Sequence, residues 1–129
     1  AEAFAEYAHH KVRTEFWGYA AKESLDNEAY IKEEYQGIRP APGYPSCPDH
    51  RLKNDIWDLL DVEKKINISL TDSLAMLPTA SVSGLYFSHP QSRYFQLGRI
   101  DKDQVEAYSK SRGESIDENE TWLSPVLGY

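Results

Sequence analysis

A proline-rich stretch at 37–50 reads GIRPAPGYPSCPDH and concentrates residue types suited to holding a small charged ligand. Arg39 can grip a carboxylate through two parallel charge-assisted hydrogen bonds. Gly43 lets the backbone approach a ligand closely, and Tyr44 offers an aromatic face with a polar tip. Four of the seven prolines lie here, and their fixed backbone reduces the entropy lost on binding. The stretch is therefore a candidate site for a small zwitterion.

Composition alone favours two plainer interpretations of the same stretch. Proline at this density excludes a helix or a central strand, and it is typical of a stiff surface connector. It is also typical of a polyproline segment that docks into an aromatic groove of another protein. The residues by themselves leave these alternatives open.

The other chemically suggestive residues indicate neither a metal site nor catalytic machinery. His9 and His10 are adjacent on a predicted helix and point in different directions, so they cannot share a metal. The C-x-x-H spacing of Cys47 and His50 is half a zinc site at best. The sequence contains no nucleotide-binding glycine motif and no nucleophile elbow.

Length and charge bound the class of protein. A chain of 129 residues is one domain, 1–129. Its net charge of −7, without a basic run, argues against nucleic acid and anionic membranes as partners. No apolar stretch approaches membrane-spanning length, and the N-terminus lacks an export signal, so the cytoplasm is the expected compartment. Because the chain starts inside a predicted helix with no cap, we expect it to be cut from something longer.

The hydrophobic pattern predicts helices at both ends of the chain and strands between them. An i, i+4 stripe predicts a first helix over about 1–17, and a short acidic helix follows at 27–35. A second amphipathic helix is predicted at 52–65. The apolar residues expected to face the core are Phe4, Ala8, Val12 and Phe16 in the first helix, and Leu52, Ile56, Leu59 and Leu60 in the second.

Residues 66–70 predict a short strand, and 80–87 with 93–100 predict an antiparallel hairpin around a polar turn. Asp101 and Gln104 have the spacing of a capping box for a helix that stops at Gly113. Ser115 and Glu118 offer a second box before a helix that ends ahead of Pro125. We therefore expect an α+β fold, with an antiparallel sheet (the hairpin at about 80–100) flanked by amphipathic helices.

Several long stretches resemble the activation domain of cobalamin-dependent methionine synthase. They are GIRPAPGYPSCPDH (37–50), LTDSLAMLPTASVSGLYFSHPQSRYF (70–95), DKDQVEAY (101–108) and WLSPVLGY (122–129). The resemblance covers the whole chain and implies that it is the C-terminal part of such a domain. In that family the domain binds S-adenosylmethionine and presents it for reductive methylation of cob(II)alamin, which restores the methionine-synthesising enzyme.

The resemblance also implies the site. The family's signature R-x-x-x-G-Y is complete from Arg39 to Tyr44, which implies that Arg39 holds the ligand's carboxylate. Other residues are implied as contacts: Ala41, Gly43 and Tyr44 through their backbone, Tyr94 through its side chain, Phe95 where some relatives have a second tyrosine, and the acidic Glu33 and Glu2. No catalytic residue and no metal ligand is implied, because the reacting groups belong to the cofactors.

The partners implied by the resemblance are the cobalamin-binding domain of methionine synthase and flavodoxin or a related flavoprotein reductase. No D-x-H-x-x-G cobalamin motif occurs in the chain, so cobalamin is expected on a partner domain. An alternative remains open. The chain could act mainly as an interaction module that docks on these partners, with its ligand binding weakened by the missing N-terminal part of the domain.

Overall fold

The computed structural model describes all of residues 1–129 and confirms the α+β class. It contains six α-helices and one two-stranded antiparallel sheet. The helices are α1 (Glu2–Lys11), α2 (Asn27–Ile31), α3 (Leu52–Leu60), α4 (Val62–Ile66), α5 (Lys102–Arg112) and α6 (Ile116–Leu123). None of them is long and apolar enough to cross a membrane.

The first helix forms where predicted, but the face predicted to be buried is wrong. Phe4 and Phe16 are 70% and 77% exposed, whereas His9 and Arg13 are fully buried. The helix α1 continues into a π-helical turn, Val12–Phe16, and ends before Gly18, whose φ of 74° stops it. The hydrophobic pattern failed at these positions because polar side chains, each with a partner elsewhere in the chain, fill the inner face.

The acidic helix α2 is shorter than the predicted 27–35. Asp26 caps it by accepting a hydrogen bond of 2.9 Å from the Ala29 N–H. It ends at Ile31, and Glu33 then takes a left-handed conformation with φ 53°. This turn sends the chain back toward α1 and leads into the proline-rich stretch.

The predicted helix over 52–65 is two helices, because Asp61 adopts a left-handed conformation (φ 53°) between α3 and α4. The predicted inner face is wrong at Leu59 and Leu60, which are exposed, while Lys53 and Val62 are buried. The Lys53 ammonium donates to the Leu74 carbonyl at 2.7 Å, so a paired charge takes the inner position.

The sheet lies earlier in the chain than predicted. Strand β1 (Ser69–Leu70) pairs with β2 (Met76–Leu77), so the strand expected at 66–70 is partly present. The hairpin expected at 80–100 does not form. Residues 80–87 and 93–100 contain only isolated bridges at Phe87 and Ile100, and their backbone groups bond to the proline-rich stretch and the C-terminus instead of to each other.

The C-terminal helices follow the sequence signals closely. The Asp101–Gln104 capping box is present, and Gly113 ends α5 in a left-handed conformation (φ 70°). Ser115 caps α6 by accepting from the Glu118 N–H at 3.2 Å. The apolar core of this part consists of Ile100, Val105 and Leu123, and the parallel bridge between Ile100 and Leu127 closes it.

Candidate functional site

The proline-rich stretch, called here the Arg39 loop (37–50), is tied down along its first half by the extended segment 84–87. Ile38 and Phe87 exchange two backbone hydrogen bonds of 3.0 Å, and the Leu85 N–H donates to the Pro40 carbonyl at 2.9 Å. A Cβ at Gly37 would lie 2.3 Å from the Phe87 carbonyl oxygen, so only glycine permits this approach. The first half of the loop is therefore fixed to the segment 84–87 and is not a free connector.

Gly43 sits at the turn of the loop with φ 98°. Its backbone packs so closely on the His50 ring that a Cβ would lie 2.1 Å from Cε1. The His50 ring in turn contacts Lys53 Nζ at 3.0 Å through Nδ1. The glycine that the sequence singled out thus serves two purposes, a left-handed turn and close packing within the loop itself.

The backbone of Arg39 binds the side chain of Tyr94. The Arg39 N–H donates to the Tyr94 hydroxyl oxygen at 2.9 Å. This contact joins two predicted site residues that are 55 positions apart in the chain. Burial raises the pKa of Tyr94 against the opposing effects of the Arg39 backbone hydrogen bond and charge, and the carboxylates of Glu33 and Glu6 add to the rise.

The Arg39 guanidinium is held on its inner side by three groups. Its Nη1 donates to the Tyr35 hydroxyl at 2.7 Å and approaches His9 Nδ1 at 3.2 Å. Its Nη2 forms an ion pair with Glu6 Oε2 at 2.7 Å. Its Nε donates to no protein atom, and Nε is not fully buried. Part of the guanidinium therefore stays available to a ligand.

His9 is neutral in this arrangement. Burial, together with the charges of Arg13 and Arg39, lowers its pKa to about 4. Because Arg39 donates to Nδ1, the ring proton lies on Nε2, which faces the Tyr19 hydroxyl at 3.4 Å. The Tyr19 hydroxyl donates onward to the Gln36 carbonyl. A single tautomer thus satisfies every contact of the ring.

Arg13 lies beneath this layer and carries a second buried positive charge. Its Nε and Nη2 donate to the two carboxylate oxygens of Glu23 at 2.7 and 2.9 Å. Its guanidinium also stacks on the Tyr35 ring, with 3.9 Å from Cζ to the ring centroid. Burial would raise the pKa of Glu23, but the hydrogen bonds from Arg13 and His10 outweigh it and hold that pKa below its usual value.

The remaining predicted site residues lie at the surface. Tyr44 and Phe95 are 63% and 57% exposed, and Glu2 and Glu33 are also exposed with no ion pair. The Cα of Ala41 lies against Gly84, 3.8 Å from where its Cβ would be. The structure thus brings Arg39 and Tyr94 into direct contact, and the side chains of Glu2, Glu33 and Phe95 form no hydrogen bond or ion pair with either of them.

The far end of the Arg39 loop is fixed by a buried charge network. Arg51 donates to both carboxylate oxygens of Asp49, at 3.0 and 2.7 Å, and to Asn119 at 2.6 Å. It also pairs with Glu114 at 2.6 Å, and Tyr108 donates to Asp49 at 2.8 Å. Helices α5 and α6 therefore hold the loop's C-terminal end in place.

A groove of about 490 Å³ opens beside the turn of the loop. Its walls come from Tyr44 and His50 in the loop, from Leu97 in the following extended segment, and from Trp122 and Pro125 near the C-terminus. Across the whole chain, no group of three or more His, Cys, Asp or Glu side chains is placed to hold a metal ion.

The sequence reasoning missed the residues that surround Arg39. Glu6, His9 and Arg13 follow one another at spacings of three and four, so a signal was present: they share one helical face with Glu2. The apolar stripe beside it is the stronger signal for an inward face, and it points to the wrong side of the helix. Tyr35, four residues before Arg39, gave no signal of its own.

Two comparisons with known proteins agree with each other. Residues 1–113 match the family described as vitamin B12 dependent methionine synthase, activation domain. The chain is also similar to a solved structure, the MetH reactivation domain bound to AdoHcy (S-adenosylhomocysteine). The two share 59% sequence identity with a TM-score of 0.96, over 100% of this chain and 40% of that one. The chain thus spans about two fifths of the length of that structure.

Proposed function

The chain belongs to the family of vitamin B12-dependent methionine synthase activation domains, and from that premise we propose that it binds S-adenosylmethionine at the Arg39 loop. The ligand would be presented there for the reductive methylation of cob(II)alamin. The similar reactivation domain was crystallised with AdoHcy, the product that S-adenosylmethionine leaves after losing its methyl group. The proposed site residues are those that the sequence resemblance implied: Arg39, Ala41, Gly43, Tyr44, Tyr94, Phe95, Glu33 and Glu2.

The observation that carries this proposal is that one edge of the Arg39 guanidinium has no hydrogen-bond acceptor in the protein. A guanidinium has five N–H donors. The two on Nη1 face the Tyr35 hydroxyl and His9 Nδ1, and Nη2 forms an ion pair with Glu6 Oε2 at 2.7 Å. The Nε–H and the Nη2–H on the same edge have no hydrogen-bond acceptor in the protein, and these two can bind a carboxylate side by side. The Arg39 side chain is 22% exposed, so a ligand can reach it without the loop opening.

The surroundings suit the rest of the ligand. S-adenosylmethionine carries a sulfonium and an ammonium as well as a carboxylate. The Tyr44 ring and the unpaired carboxylate of Glu33 lie exposed on the loop and just before it. Aromatic faces and carboxylates both attract cations.

The chain contributes binding and orientation rather than bond-breaking groups. Cobalamin, carried by a partner domain, would accept the methyl group together with one electron from a flavodoxin-type reductase, and AdoHcy would leave. This chemistry needs no nucleophile or general base from the chain, because the sulfonium is already an activated methyl donor. Rigid anchoring of the Arg39 loop at both ends would fix the direction in which the methyl group points.

The proposed partners are the cobalamin-binding domain and a flavodoxin or related reductase. Exposed apolar side chains border the loop at Tyr44, Phe95 and Leu97, and such a patch suits contact with another protein surface. This patch also supports the alternative function, an interaction module with weak ligand binding. Titrating AdoHcy into this chain and into a longer one that includes the N-terminal part of the domain separates the two functions. Equal affinities would exclude the alternative.

Calorimetric titration of AdoHcy tests the proposed function directly. Arg39→Ala removes a charge-assisted pair and should weaken binding by about 1.5–3 kcal/mol, roughly ten- to hundredfold. Arg93→Ala is the matched control, because Arg93 is an exposed arginine that bonds only to the nearby Pro90 and Ser92 carbonyls. Equal affinities of the Arg39→Ala and wild-type chains would contradict the proposal.

A further inference from the structure

Glu6 is a half-buried carboxylate whose two oxygens have different surroundings. Its Oε2 pairs with Arg39 Nη2 at 2.7 Å and lies 3.4 Å from the Tyr35 hydroxyl. Its Oε1 is buried without a hydrogen bond, 4.0 Å from Arg13 Nη1, which is also unpaired. Leaving these two atoms unpaired is costly, so the carboxylate is not placed for the best ion pair with Arg13. It is placed for Arg39.

The orientation of Arg39 depends on groups from two elements. The Tyr35 hydroxyl and His9 Nδ1 occupy both hydrogens of Nη1, and the Glu6 carboxylate pairs with Nη2 at 2.7 Å. His9 is buried between the rings of Tyr35 and Tyr86, at centroid distances of 5.1 and 5.0 Å, so it cannot follow a moving guanidinium. With both its hydrogens on Nη1 occupied, Arg39 can present to a ligand only the edge that carries Nε.

Considered by charge alone, Glu6 should weaken the binding of a ligand carboxylate, because both groups are negative. The carboxylates of Glu6 and Glu23 balance the guanidinium groups of Arg13 and Arg39, and His9 is neutral. Removing Glu6 would leave a net positive charge, which should attract an anion more strongly. Holding Arg39 in one orientation should favour the same anion by lowering the entropy lost on binding. The two effects of Glu6 therefore have opposite signs and can be told apart.

We propose that Glu6 is a positioning residue of the ligand site, which fixes the Arg39 guanidinium so that its Nε edge receives the ligand's carboxylate. Glu6 does not itself contact the ligand in this role. This inference rests on the proposed function. It identifies Glu6 as the residue on which the preference for a carboxylate-bearing ligand depends. Glu2, one helical turn earlier, forms no ion pair with Arg39 and does not help to orient it.

The test compares two ligands that differ only in the carboxylate, AdoHcy and its decarboxylated counterpart S-adenosyl-3-thiopropylamine. The ratio of their dissociation constants measures what the carboxylate contributes, and we expect it to be roughly tenfold or more in the wild type. Glu6→Ala should reduce this ratio to roughly threefold or less. Glu6→Asp keeps the charge but shortens the side chain, so it should reduce the ratio in the same direction and carries the test if Glu6→Ala does not fold.

Glu6→Gln retains an acceptor for Arg39 Nη2 and should keep the ratio within about twofold of the wild type. Glu15→Ala is the control, because Glu15 is an exposed glutamate of the same helical segment that pairs with Lys11. A ratio unchanged or increased in Glu6→Ala, or a loss in Glu6→Gln equal to that in Glu6→Ala, would overturn the role of Glu6. Failure of the wild-type chain to bind AdoHcy would overturn the proposed function and this inference with it.

Discussion

The backbone N–H of Arg39 donates a hydrogen bond of 2.9 Å to the hydroxyl of Tyr94, which joins the start of the proline-rich loop to a segment 55 residues later. The side chain of the same arginine is held from the other side by Glu6, His9 and Tyr35. One residue therefore links α1, the loop and the extended segment after residue 93. The orientation of Arg39 in the proposed site depends on these contacts.

Tyr94→Phe removes the acceptor and keeps the ring. The Arg39 N–H then loses its partner, which should lower the free energy of unfolding by about 1 kcal/mol. AdoHcy binding should weaken as well, because the loop is freer to move. Urea unfolding and calorimetry measure the two effects. Tyr7→Phe is the control, since the Tyr7 hydroxyl contacts no backbone group and its side chain is 55% exposed. Indistinguishable behaviour of the two variants would show that the Arg39–Tyr94 bond contributes nothing.

Gly43→Ala should be more destabilising than Gly113→Ala. Both glycines have positive φ, 98° and 70°, and an alanine there costs about 1–2 kcal/mol for the backbone alone. Only Gly43 also meets a ring, with His50 Cε1 2.1 Å from the new Cβ, whereas Gly113 has open space around it. The clash should add about 1–3 kcal/mol, measured as the difference in unfolding free energy between the two variants.

A double-mutant cycle identifies the origin of that difference. In a His50→Ala background the ring is gone, so Gly43→Ala should then cost no more than Gly113→Ala. A cost at Gly43 that is the same with and without the His50 ring would mean that packing on His50 is not the reason for the glycine.

His9 makes stability depend on pH. Burial and the charges of Arg13 and Arg39 lower its pKa in the folded chain to about 4, against 6.5 in the unfolded chain. The unfolded state therefore binds more protons between these values, so stability is complete above pH 6.5 and is lost as the pH falls toward 4. The loss between pH 7 and pH 5 should be about 2 kcal/mol.

His9→Asn places an amide oxygen near the position of Nδ1 and removes the titrating ring. The variant should lose most of the change in unfolding free energy between pH 7 and pH 5, and the change that remains should come from other groups, among them His50, whose pKa burial also lowers. Chemical denaturation at the two pH values measures this. An unchanged pH dependence in His9→Asn would show that the buried ring is not the group responsible.

The parts of the fold that local signals determine were predictable. The capping box of Asp101 and Gln104 and the stop at Gly113 depend on neighbours three or four residues away, and both are where the sequence indicated. The irregular conformation of the Arg39 loop was also predictable, because four closely spaced prolines exclude a helix there.

The parts that depend on distant partners were not predictable. Phe4 and Phe16 were expected inside, but His9 and Arg13 are there, and Glu23 and Arg39, which pair with them, come from later in the chain. Periodicity reports polarity, and it cannot show that a polar side chain will find its partner. The hairpin at 80–100 failed for a related reason. Extended character does not specify which backbone a segment pairs with, and Phe87 pairs with Ile38.

Nuclear magnetic resonance of the Arg39 side chain shows whether the ligand's carboxylate binds the Nε edge, because the Nε–H of a labelled arginine gives its own signal. The wild-type chain is titrated with AdoHcy and, separately, with 5′-methylthioadenosine, which lacks the amino acid part. We expect AdoHcy to shift Arg39 Nε–H together with the backbone amides of Gly43 and Tyr44, and 5′-methylthioadenosine to shift the amides alone. Saturable AdoHcy binding that leaves the Arg39 Nε–H signal unmoved would contradict binding of the carboxylate at this edge.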